Sequence, residues 1–221
     1  MNISDIQAAF DEANEHGIPY DIGIIKTTDL SPVWSEYDKK YSGVPPEKVK
    51  SVIVYTILTT VAADYYFREN LTPRIIHVLN GKFGNHFGYD DYQVNRKQLA
   101  VLAGLGKICK QSLVFTNKFG LNAKIDAIFS DLEFDEYAVY DGQRYREECS
   151  SCPAPCICQC PVECKMDYRL EDVSACDKYI TPNWDTPERM CRACVQECVA
   201  SERMLEDFPG EARKRLGRPD L

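Results

Sequence analysis

Ten of the chain's eleven cysteines lie within fifty residues, from Cys149 to Cys198. Most of them belong to two runs, which read CSSCPAPCICQCP (149–161) and CRACVQEC (191–198), with Cys164 and Cys176 between them. Thiolates at this spacing are typical of ligands for soft metals rather than of residues that pack a hydrophobic core. The C-terminal third of the chain is therefore expected to fold around metal or around disulfide bonds.

The N-terminal part of the sequence helps to decide between metal and disulfides. MNISDIQAAFDEANEHG (1–17) is acidic and amphipathic and lacks the features of a secretory signal. The longest apolar stretch, SVIVYTILTTVAA (51–63), is too short to span a bilayer. We therefore expect a cytoplasmic protein, and in reducing cytosol clustered cysteines favour metal. Zinc is the rival, because paired C-x2-C units also form four-thiolate zinc sites.

The spacing of the first run is close to that of a known cluster-binding pattern. Bacterial ferredoxins hold [4Fe–4S] clusters with C-x2-C-x2-C-x3-CP, in which the fourth cysteine binds the other cluster. Here the spacing is C-x2-C-x3-C-x3-CP, one residue longer before the third cysteine, and a second C-x2-C-x3-C follows. The proline-linked elements PAPC and CQCP suit cluster loops better than a zinc ribbon. We predict two [4Fe–4S] clusters.

The crossed arrangement of two-cluster ferredoxins gives a ligand assignment. The first cluster takes three ligands from the first run and one from the second: Cys149, Cys152, Cys156 and Cys198. The second cluster takes the cysteine that precedes Pro161 and three later ones: Cys160, Cys176, Cys191 and Cys194. Cys158 and Cys164 are left over. Either can displace Cys156 or Cys160, because the additional residue makes the register ambiguous.

The rest of the chain predicts an α+β fold with two domains. YDIGIIK (20–26), SVIVYTIL (51–58), SLVFTN (112–117) and AKIDAIFSDLEF (123–134) predict strands. Helices are predicted after Ser4, from about Asp90 to the AGLG turn (103–106), and over 202–208. Gly81, Gly84 and Gly88 predict a loop around His86. The sequence thus predicts an α/β domain over 1–145 and a loop-rich cysteine domain with a C-terminal helix over 146–221.

Charge is segregated along the chain. The segment 131–177 holds 12 acidic and 4 basic residues, whereas 74–124 holds 8 basic residues against Asp90 and Asp91. Two solvated faces would produce this pattern, and so would an acidic electron-entry surface beside a basic pocket for an anionic ligand. The net charge of −8 argues against a nucleic-acid partner.

Two segments resemble a known family. AGLGKICKQSLVFTNKFG (103–120) resembles the AGLG-W-x-G-K-x-x-L segment of epoxyqueuosine reductases and their reductive-dehalogenase relatives. CDKYIT (176–181) followed by CRACVQEC resembles that family's C-x-x-Y-x-T element and second cysteine run. The resemblance covers about half of the chain. It implies a nitroreductase-like α/β domain joined to a ferredoxin-like double-cluster domain, with a cobamide (cobalamin) held between them.

The resemblance also implies a catalytic acid. Family members carry a proton-donating acid in a D-[ST]-A-P motif thirteen residues before AGLG, and here that offset reaches Asp90, which DYQ follows. Asp90 also suits a helix N-cap, with Gln93 completing a capping box, and this role is compatible with that of an acid. Tyr89 and Tyr92, beside it, are candidates to line a flat ligand.

Two further positions are singled out by the same segment. Lys110 matches the family's lysine, where it either meets a phosphate or substrate anion or is a solvated cation. Cys109 replaces the family's glycine; it is expected to be buried and inert, with a redox role as the alternative.

The sequence therefore predicts an iron–sulfur oxidoreductase. It would pass single electrons from an external ferredoxin- or flavodoxin-type donor through two clusters to a corrinoid or substrate in the N-terminal domain. Compared with the family, the interval between SVIV and AGLG is short, about forty-five residues, and the chain ends soon after its cysteines. Both departures weaken the expectation of a modified tRNA substrate. The alternatives are a non-catalytic ferredoxin-type carrier or redox subunit that docks a partner protein, and a zinc-dependent scaffold.

Overall fold

A computed structural model describes residues 1–15, 17–30, 41–42, 48–58, 71–90, 95–170, 173–180, 191, 193–198 and 200. The chain divides into two compact units. The first comprises Met1–Ile57, Tyr66–Leu105 and Lys124–Asp141, and the second comprises Leu58–Tyr65, Gly106–Ala123 and Gly142–Leu221. The segment 106–123, which the sequence places in the N-terminal domain, therefore groups with the cysteine-rich part of the chain.

The first unit is built on a five-stranded sheet formed by β1 Tyr20–Lys26, β2 Tyr41–Ser42, β3 Ser51–Leu58, β4 Phe87–Asp90 and β7 Ala123–Ser130. The order of the strands in this sheet is β1-β3-β7-β4-β2. β1 pairs antiparallel with β3, and β4 pairs antiparallel with both β2 and β7. All eight residues of β3 are buried, as its unbroken apolar sequence predicts for an interior strand. The predictions of β1 and β3 are confirmed residue for residue.

The helix Ile3–Ala13 packs on the helix Leu71–Phe83. The first helix buries Ile6, Ala9, Phe10 and Ala13, and Asn2 rather than Ser4 is its N-cap. The Asn2 side chain accepts a hydrogen bond from the Asp5 amide at 3.0 Å, and the Asp5 carboxylate accepts one from the Asn2 amide at 3.1 Å. This reciprocal capping box satisfies two backbone donors that would otherwise lack partners.

The helix Leu71–Phe83 is absent from the sequence predictions. Pro73 lies in its first turn, where a missing N–H costs no hydrogen bond. Ile75 and Leu79, four residues apart, are fully buried on one face. Gly81 lies within this helix, so the prediction that it opens a loop is wrong. The loop begins at Gly84, whose φ of 90° favours glycine.

The AGLG segment follows the helix Arg96–Leu102. Asn95 caps this helix, and its side chain accepts a hydrogen bond from the Gln98 amide at 3.2 Å. Asp90 is the last residue of β4, so the prediction that Asp90 caps this helix is wrong. Both residues have short polar side chains that suit a cap, and the extension of β4 through Asp90 decides in favour of Asn95.

The turn after this helix lies directly against β1. A Cβ atom added to Gly23 in the middle of β1 would overlap the Ala103 carbonyl oxygen and lie 2.9 Å from the Ala103 Cβ. Gly104 then reverses the chain with a φ of 69°. The absence of a side chain at Gly23 therefore sets the distance between the sheet and the AGLG turn.

Among the described residues of the second unit, the strands and helices are short. β5 Gly106–Ile108 and β6 Val114–Thr116 form an antiparallel hairpin, and β8 Lys165–Met166 pairs with β9 Arg169–Leu170. Short helices cover Pro155–Cys158, Val173–Ile180 and Ala193–Gln196. The helix predicted over 202–208 lies outside the described residues. Among the helices that are described, none has the length and apolar character needed to cross a bilayer.

Two glycine substitutions test this packing. Gly23→Ala should lower the free energy of unfolding by about 1–3 kcal/mol, because backbone atoms of Ala103 occupy the added space. Gly81→Ala is the matched control: no atom lies within 4 Å of its Cβ position, and it should raise that free energy by about 0.5–1 kcal/mol. Urea unfolding of the reduced protein measures both. Equal destabilisation by the two variants would contradict the close packing at Gly23.

Candidate metal centre

Residues 109–113 form the hairpin loop between β5 and β6. The Cys109 amide donates to the Leu113 carbonyl at 2.8 Å, and the Ser112 amide donates to the Cys109 carbonyl at 2.8 Å. Ser112 closes the loop with a φ of 64°, a left-handed conformation that costs about 1 kcal/mol or more for a residue with a side chain. These contacts give the loop a defined shape, and its side chains reach both cysteine runs.

Backbone hydrogen bonds attach the segment just before the first cysteine run to β5 of this hairpin. The Ile108 amide donates to the Arg144 carbonyl at 3.0 Å, and the Arg146 amide donates to the Ile108 carbonyl at 3.0 Å. Residues 144–146, which shortly precede Cys149, therefore run parallel to β5. The Arg146 guanidinium lies 3.8 Å from the centre of the Phe115 ring, a cation–π contact that fixes the same segment on β6.

Lys110 joins the hairpin loop to the first run. Its ammonium nitrogen donates to the Cys152 carbonyl at 3.1 Å and to the Ser150 carbonyl at 3.4 Å. Its own carbonyl accepts a hydrogen bond from the Tyr168 amide at 2.7 Å. From the sequence, Lys110 is expected either to bind an anion or to be a solvated cation. In the structure its ammonium group contacts backbone carbonyls of the first cysteine run.

Gln111 joins the hairpin loop to the second run. Its side chain is fully buried, and its amide nitrogen donates to the Cys194 carbonyl at 3.3 Å. Its side-chain oxygen has no hydrogen-bond partner within the described residues. A buried amide left half-satisfied is costly. Its contact with Cys194 links segments that are 83 residues apart in the sequence.

Five thiols gather beside the hairpin loop. Cys109, Cys149, Cys156 and Cys198 are buried together with Leu121 in one apolar cluster. Cys152 is half-buried and lies close enough to influence the Cys156 thiol. We call these five residues the first thiol group: Cys109, Cys149, Cys152, Cys156 and Cys198. Four of them are the ligands predicted for the first cluster.

Burial raises the pKa values of thiols in this group. The pKa of Cys156 is raised to about 11, chiefly by burial and then by Cys198, Cys152 and Cys149. Burial also raises the pKa of Cys109 far above its ordinary value, helped by the charge of Cys149 and a hydrogen bond with it. Desolvated thiolates this close together need a cation to hold them. The five sulfur atoms of the group are donors that soft metals prefer, and metal binding would release their protons.

The short helix after a turn at Ala154 distinguishes Cys156 from Cys158, whose register the sequence leaves open. Ala154 adopts a φ of 58°, and its amide donates to the Cys152 sulfur at 3.4 Å. The short helix Pro155–Cys158 follows, with Cys156 buried and Cys158 exposed. The structure thus places Cys156, and not Cys158, in the first thiol group.

A second set of thiols lies around Cys164. Cys164 is buried, and its sulfur is 3.6 Å from the Cys160 sulfur. Burial raises the pKa of Cys164 to about 12, and hydrogen bonds with Cys160 and Cys176 contribute. We call Cys160, Cys164 and Cys176 the second thiol group. The predicted ligand set omits Cys164, although its C-x3-C spacing from Cys160 is a signal for it. Cys191 and Cys194 are half-buried.

The donor atoms of the first thiol group fit an iron–sulfur cluster. All eleven cysteines are free of disulfide bonds. Among the described side chains, no three metal-binding groups lie close enough together to hold a single metal ion. The ligands of a cubane cluster stand farther apart, because each binds a different iron. Sulfur-only donors in an apolar surrounding therefore fit a [4Fe–4S] cluster.

The first unit contains a buried polar network of its own. The Asp126 carboxylate accepts hydrogen bonds from Arg96 at 2.9 Å and from the Thr72 hydroxyl at 2.7 Å. The Tyr55 hydroxyl lies 2.5 Å from that of Thr72. Burial, and then the charge of Asp126, raise the pKa of Tyr55 well above its usual range. This network ties the start of the helix Arg96–Leu102 to β7.

The predicted catalytic region lies beside this network on β4. The Arg96 guanidinium is 6.0 Å from the centre of the Tyr89 ring, within the range of a cation–π contact. Asp90 pairs in register with Tyr41 at the end of β4. Tyr92 lies outside the described residues. His86, which precedes β4, holds the Asp131 carboxylate through Nδ1 at 2.8 Å.

Comparisons with known proteins give one kind of match. No family profile and no curated protein matches the sequence. A solved epoxyqueuosine reductase from Streptococcus thermophilus superposes over 91% of this chain and 67% of its own, with a TM-score of 0.58 and 18% identity. An epoxyqueuosine reductase bound to a modified tRNA-Tyr stem loop matches over 99% and 70%, with a TM-score of 0.61 and 15% identity. A B12-dependent reductive dehalogenase matches over 96% and 35%, with a TM-score of 0.63 and 16% identity.

The chain has the fold of the epoxyqueuosine reductases and reductive dehalogenases. The resemblance stated from AGLGKICKQSLVFTNKFG and the cysteine runs is thereby confirmed at the level of the fold. One similar structure, the Bacillus subtilis epoxyqueuosine reductase, has a catalytic aspartate loop swung out of its active site. This chain spans about two thirds of the length of the reductases and about one third of the dehalogenases.

The contact between the hairpin loop and the second run can be tested by substitution. Gln111→Ala should lower the free energy of unfolding by about 1–3 kcal/mol, because it removes the buried hydrogen bond between the Gln111 side chain and the Cys194 carbonyl. Gln143→Ala, a change of the same chemistry at an exposed site of the same unit, should alter it by less than about 0.5 kcal/mol. Urea unfolding compares the two. Equal effects would contradict a bridging role for Gln111.

Proposed function

We propose that this protein is an iron–sulfur oxidoreductase that passes single electrons through two [4Fe–4S] clusters to a corrinoid or substrate. On this proposal a ferredoxin-like part supplies the clusters and a nitroreductase-like part binds the electron acceptor. One observation carries the proposal: the hairpin loop, within the segment that resembles the reductases, contacts both cysteine runs through Lys110 and Gln111. The reductase fold supports it independently.

The first cluster is proposed to bind to four members of the first thiol group. The burial of Cys149, Cys156 and Cys198 in one apolar cluster supports this assignment, as does the amide hydrogen bond to the Cys152 sulfur. Hydrogen bonds of this kind tune the sulfur ligands of iron–sulfur clusters. Leu121 beside these thiols excludes water, which protects a cluster and sets its potential.

The second cluster is proposed to bind Cys160, Cys176, Cys191 and Cys194. The approach of Cys160 and Cys176 to Cys164 supports a metal site at this position. The same contacts make Cys164 a rival of Cys160 for one iron. Gln111 supports the site by holding the Cys194 carbonyl.

The chain's own residues bind, orient and shield these groups. A [4Fe–4S] cluster supplies one-electron transfer, which no side chain in either thiol group provides on its own. Lys110 orders the first run through the Ser150 and Cys152 carbonyls, and places a positive charge near its sulfur ligands. That charge favours the reduced, more negative state of the site. Electrons would enter from a ferredoxin- or flavodoxin-type donor that docks on the acidic segment 131–177.

Asp90 is proposed as the proton donor to the bound substrate, with Tyr89 and Tyr92 beside a corrinoid. The end of β4 carries Asp90 next to Tyr89, and the Arg96–Asp126 ion pair holds the neighbouring helix in place. Asp90→Asn should abolish reductive turnover and leave the absorbance of the clusters unchanged. Unchanged turnover by the loaded variant would remove Asp90 from the mechanism.

Metal content tests the proposal as a whole. Protein purified without oxygen should contain about eight irons and eight sulfides per chain and absorb near 400 nm, as two [4Fe–4S] clusters require. Cys156→Ala should halve the iron content, and the matched change Cys158→Ala should leave it unchanged, because Cys158 is exposed. Cobalt retained after incubation with a cobamide supports a reductase, and its loss supports the ferredoxin-type carrier. Zinc in place of iron would contradict both.

A further inference from the structure

Two tyrosine rings connect the surface of the second unit to the first thiol group. We propose that Tyr145 and Tyr168 form the docking site of the electron donor, and that this donor is an acidic flavoprotein of the flavodoxin type. The inference rests on the proposed function, which brings a donor to the segment 131–177 without naming the point of contact. One electron passes from the reduced flavoprotein to the first cluster, and no covalent bond forms or breaks.

The inner of the two rings belongs to Tyr168. It is half-buried and packs against the buried cysteines of the first thiol group. The Tyr168 amide donates to the Lys110 carbonyl at 2.7 Å, so the hairpin loop beside those cysteines holds the residue in place. Tyr168 has a φ of 63°, a left-handed conformation that favours glycine. A tyrosine in this conformation indicates a role for its ring.

The outer ring belongs to Tyr145. The centres of the Tyr145 and Tyr168 rings are 4.4 Å apart, and the Tyr145 side chain is 44% exposed. Hydrogen bonds from Ile108 of β5 to the residues on either side of Tyr145 hold this residue against the hairpin. The two rings therefore lead from solvent to the buried thiols.

The charges around Tyr145 differ from those of the rest of the acidic segment 131–177. Arg144 and Arg146 flank Tyr145 and are two of the four basic residues in that segment. The Arg144 guanidinium lies 5.5 Å from the centre of the Tyr145 ring, and the Lys107 ammonium donates to the carbonyl of the residue before Arg144 at 2.7 Å. A carrier with carboxylates around its cofactor is attracted at this point and repelled by the acidic residues on either side, which fixes its orientation.

The exposed aromatic ring indicates that the donor is a flavoprotein. A flavin presents a flat aromatic ring, and Tyr145 offers an exposed ring with which it can stack. Tyrosine is also one of the residues that supply most of the binding energy at protein interfaces. The donor is therefore expected to place the edge of its flavin on Tyr145 and its carboxylates on Arg144 and Lys107.

The experiment follows the reduction of the full chain, loaded with iron and sulfide without oxygen, by reduced flavodoxin in a stopped-flow instrument. Tyr145→Ala should lower the rate constant and weaken the binding of oxidised flavodoxin, each by about fivefold or more. Reduction by the methyl viologen radical, a small reductant that needs no docking surface, should keep its rate. Tyr145→Phe retains the ring and should remain near the parent in every measurement.

A charge reversal tests the electrostatic part of the inference. Arg144→Glu should slow reduction by flavodoxin, and most strongly at low salt, where charges are least screened. Lys178→Glu, at another exposed cation of the same unit, is the matched control, because it changes the net charge equally and should keep the parent rate. Arg144→Glu leaves the Tyr145 ring in place, and it carries the test if Tyr145→Ala loses iron.

The outcomes separate the inference from the proposed function. Unchanged reduction of Tyr145→Ala by flavodoxin would overturn the inference, and so would an equal loss of rate with methyl viologen or equal effects of Arg144→Glu and Lys178→Glu. A parent chain that methyl viologen or a ferredoxin reduces, but flavodoxin does not, would overturn it while leaving the proposed function intact. A parent chain without iron would overturn the proposed function itself.

Discussion

The contacts of one hairpin loop hold the second unit together. Residues 109–113 contact the first cysteine run through the Lys110 ammonium and the second through the Gln111 amide. Cys109 from the same loop lies among the buried thiols. A loop-rich segment has too little apolar surface to order two separate runs by packing alone, so directional hydrogen bonds from a shared support take that role. The β5–β6 hairpin, with the Arg146 guanidinium stacked on Phe115, makes that support rigid.

The second constraint is the burial of the cysteine thiols, which affects both their pKa values and their binding of metal. The thiols of the first group lie in an apolar pocket that raises the pKa of Cys156 and Cys109, so the site favours neutral sulfur until a cation arrives. A bound metal would then neutralise the negative charge of the thiolates. Folding of this unit would therefore depend on the metal. The same apolar surroundings would give a metal site a low local dielectric constant, which influences its reduction potential. Stability and electron transfer would thus depend on the same contacts.

The sequence predicts what local patterns control and misses what long-range contacts decide. β-branched apolar runs predict β1 and β3 residue for residue, because interior strands need such runs. The helix Leu71–Phe83 is missed because Gly81 is assigned to a loop, although a late glycine is tolerated in a helix. The spacing leaves Cys156 and Cys158 equivalent, and the structure distinguishes them because the helix Pro155–Cys158 buries Cys156 and exposes Cys158. The contact from Gln111 spans 83 residues, so no local pattern could indicate it.

The most direct test is a crystal structure of the protein loaded with iron and sulfide in the absence of oxygen. The account predicts a cubane bound by Cys149, Cys152, Cys156 and Cys198, a second cubane beside Cys160 and Cys176, and the hairpin loop in contact with both cysteine runs. Single zinc ions held by four thiolates, or cysteines joined in disulfide bonds, would contradict it.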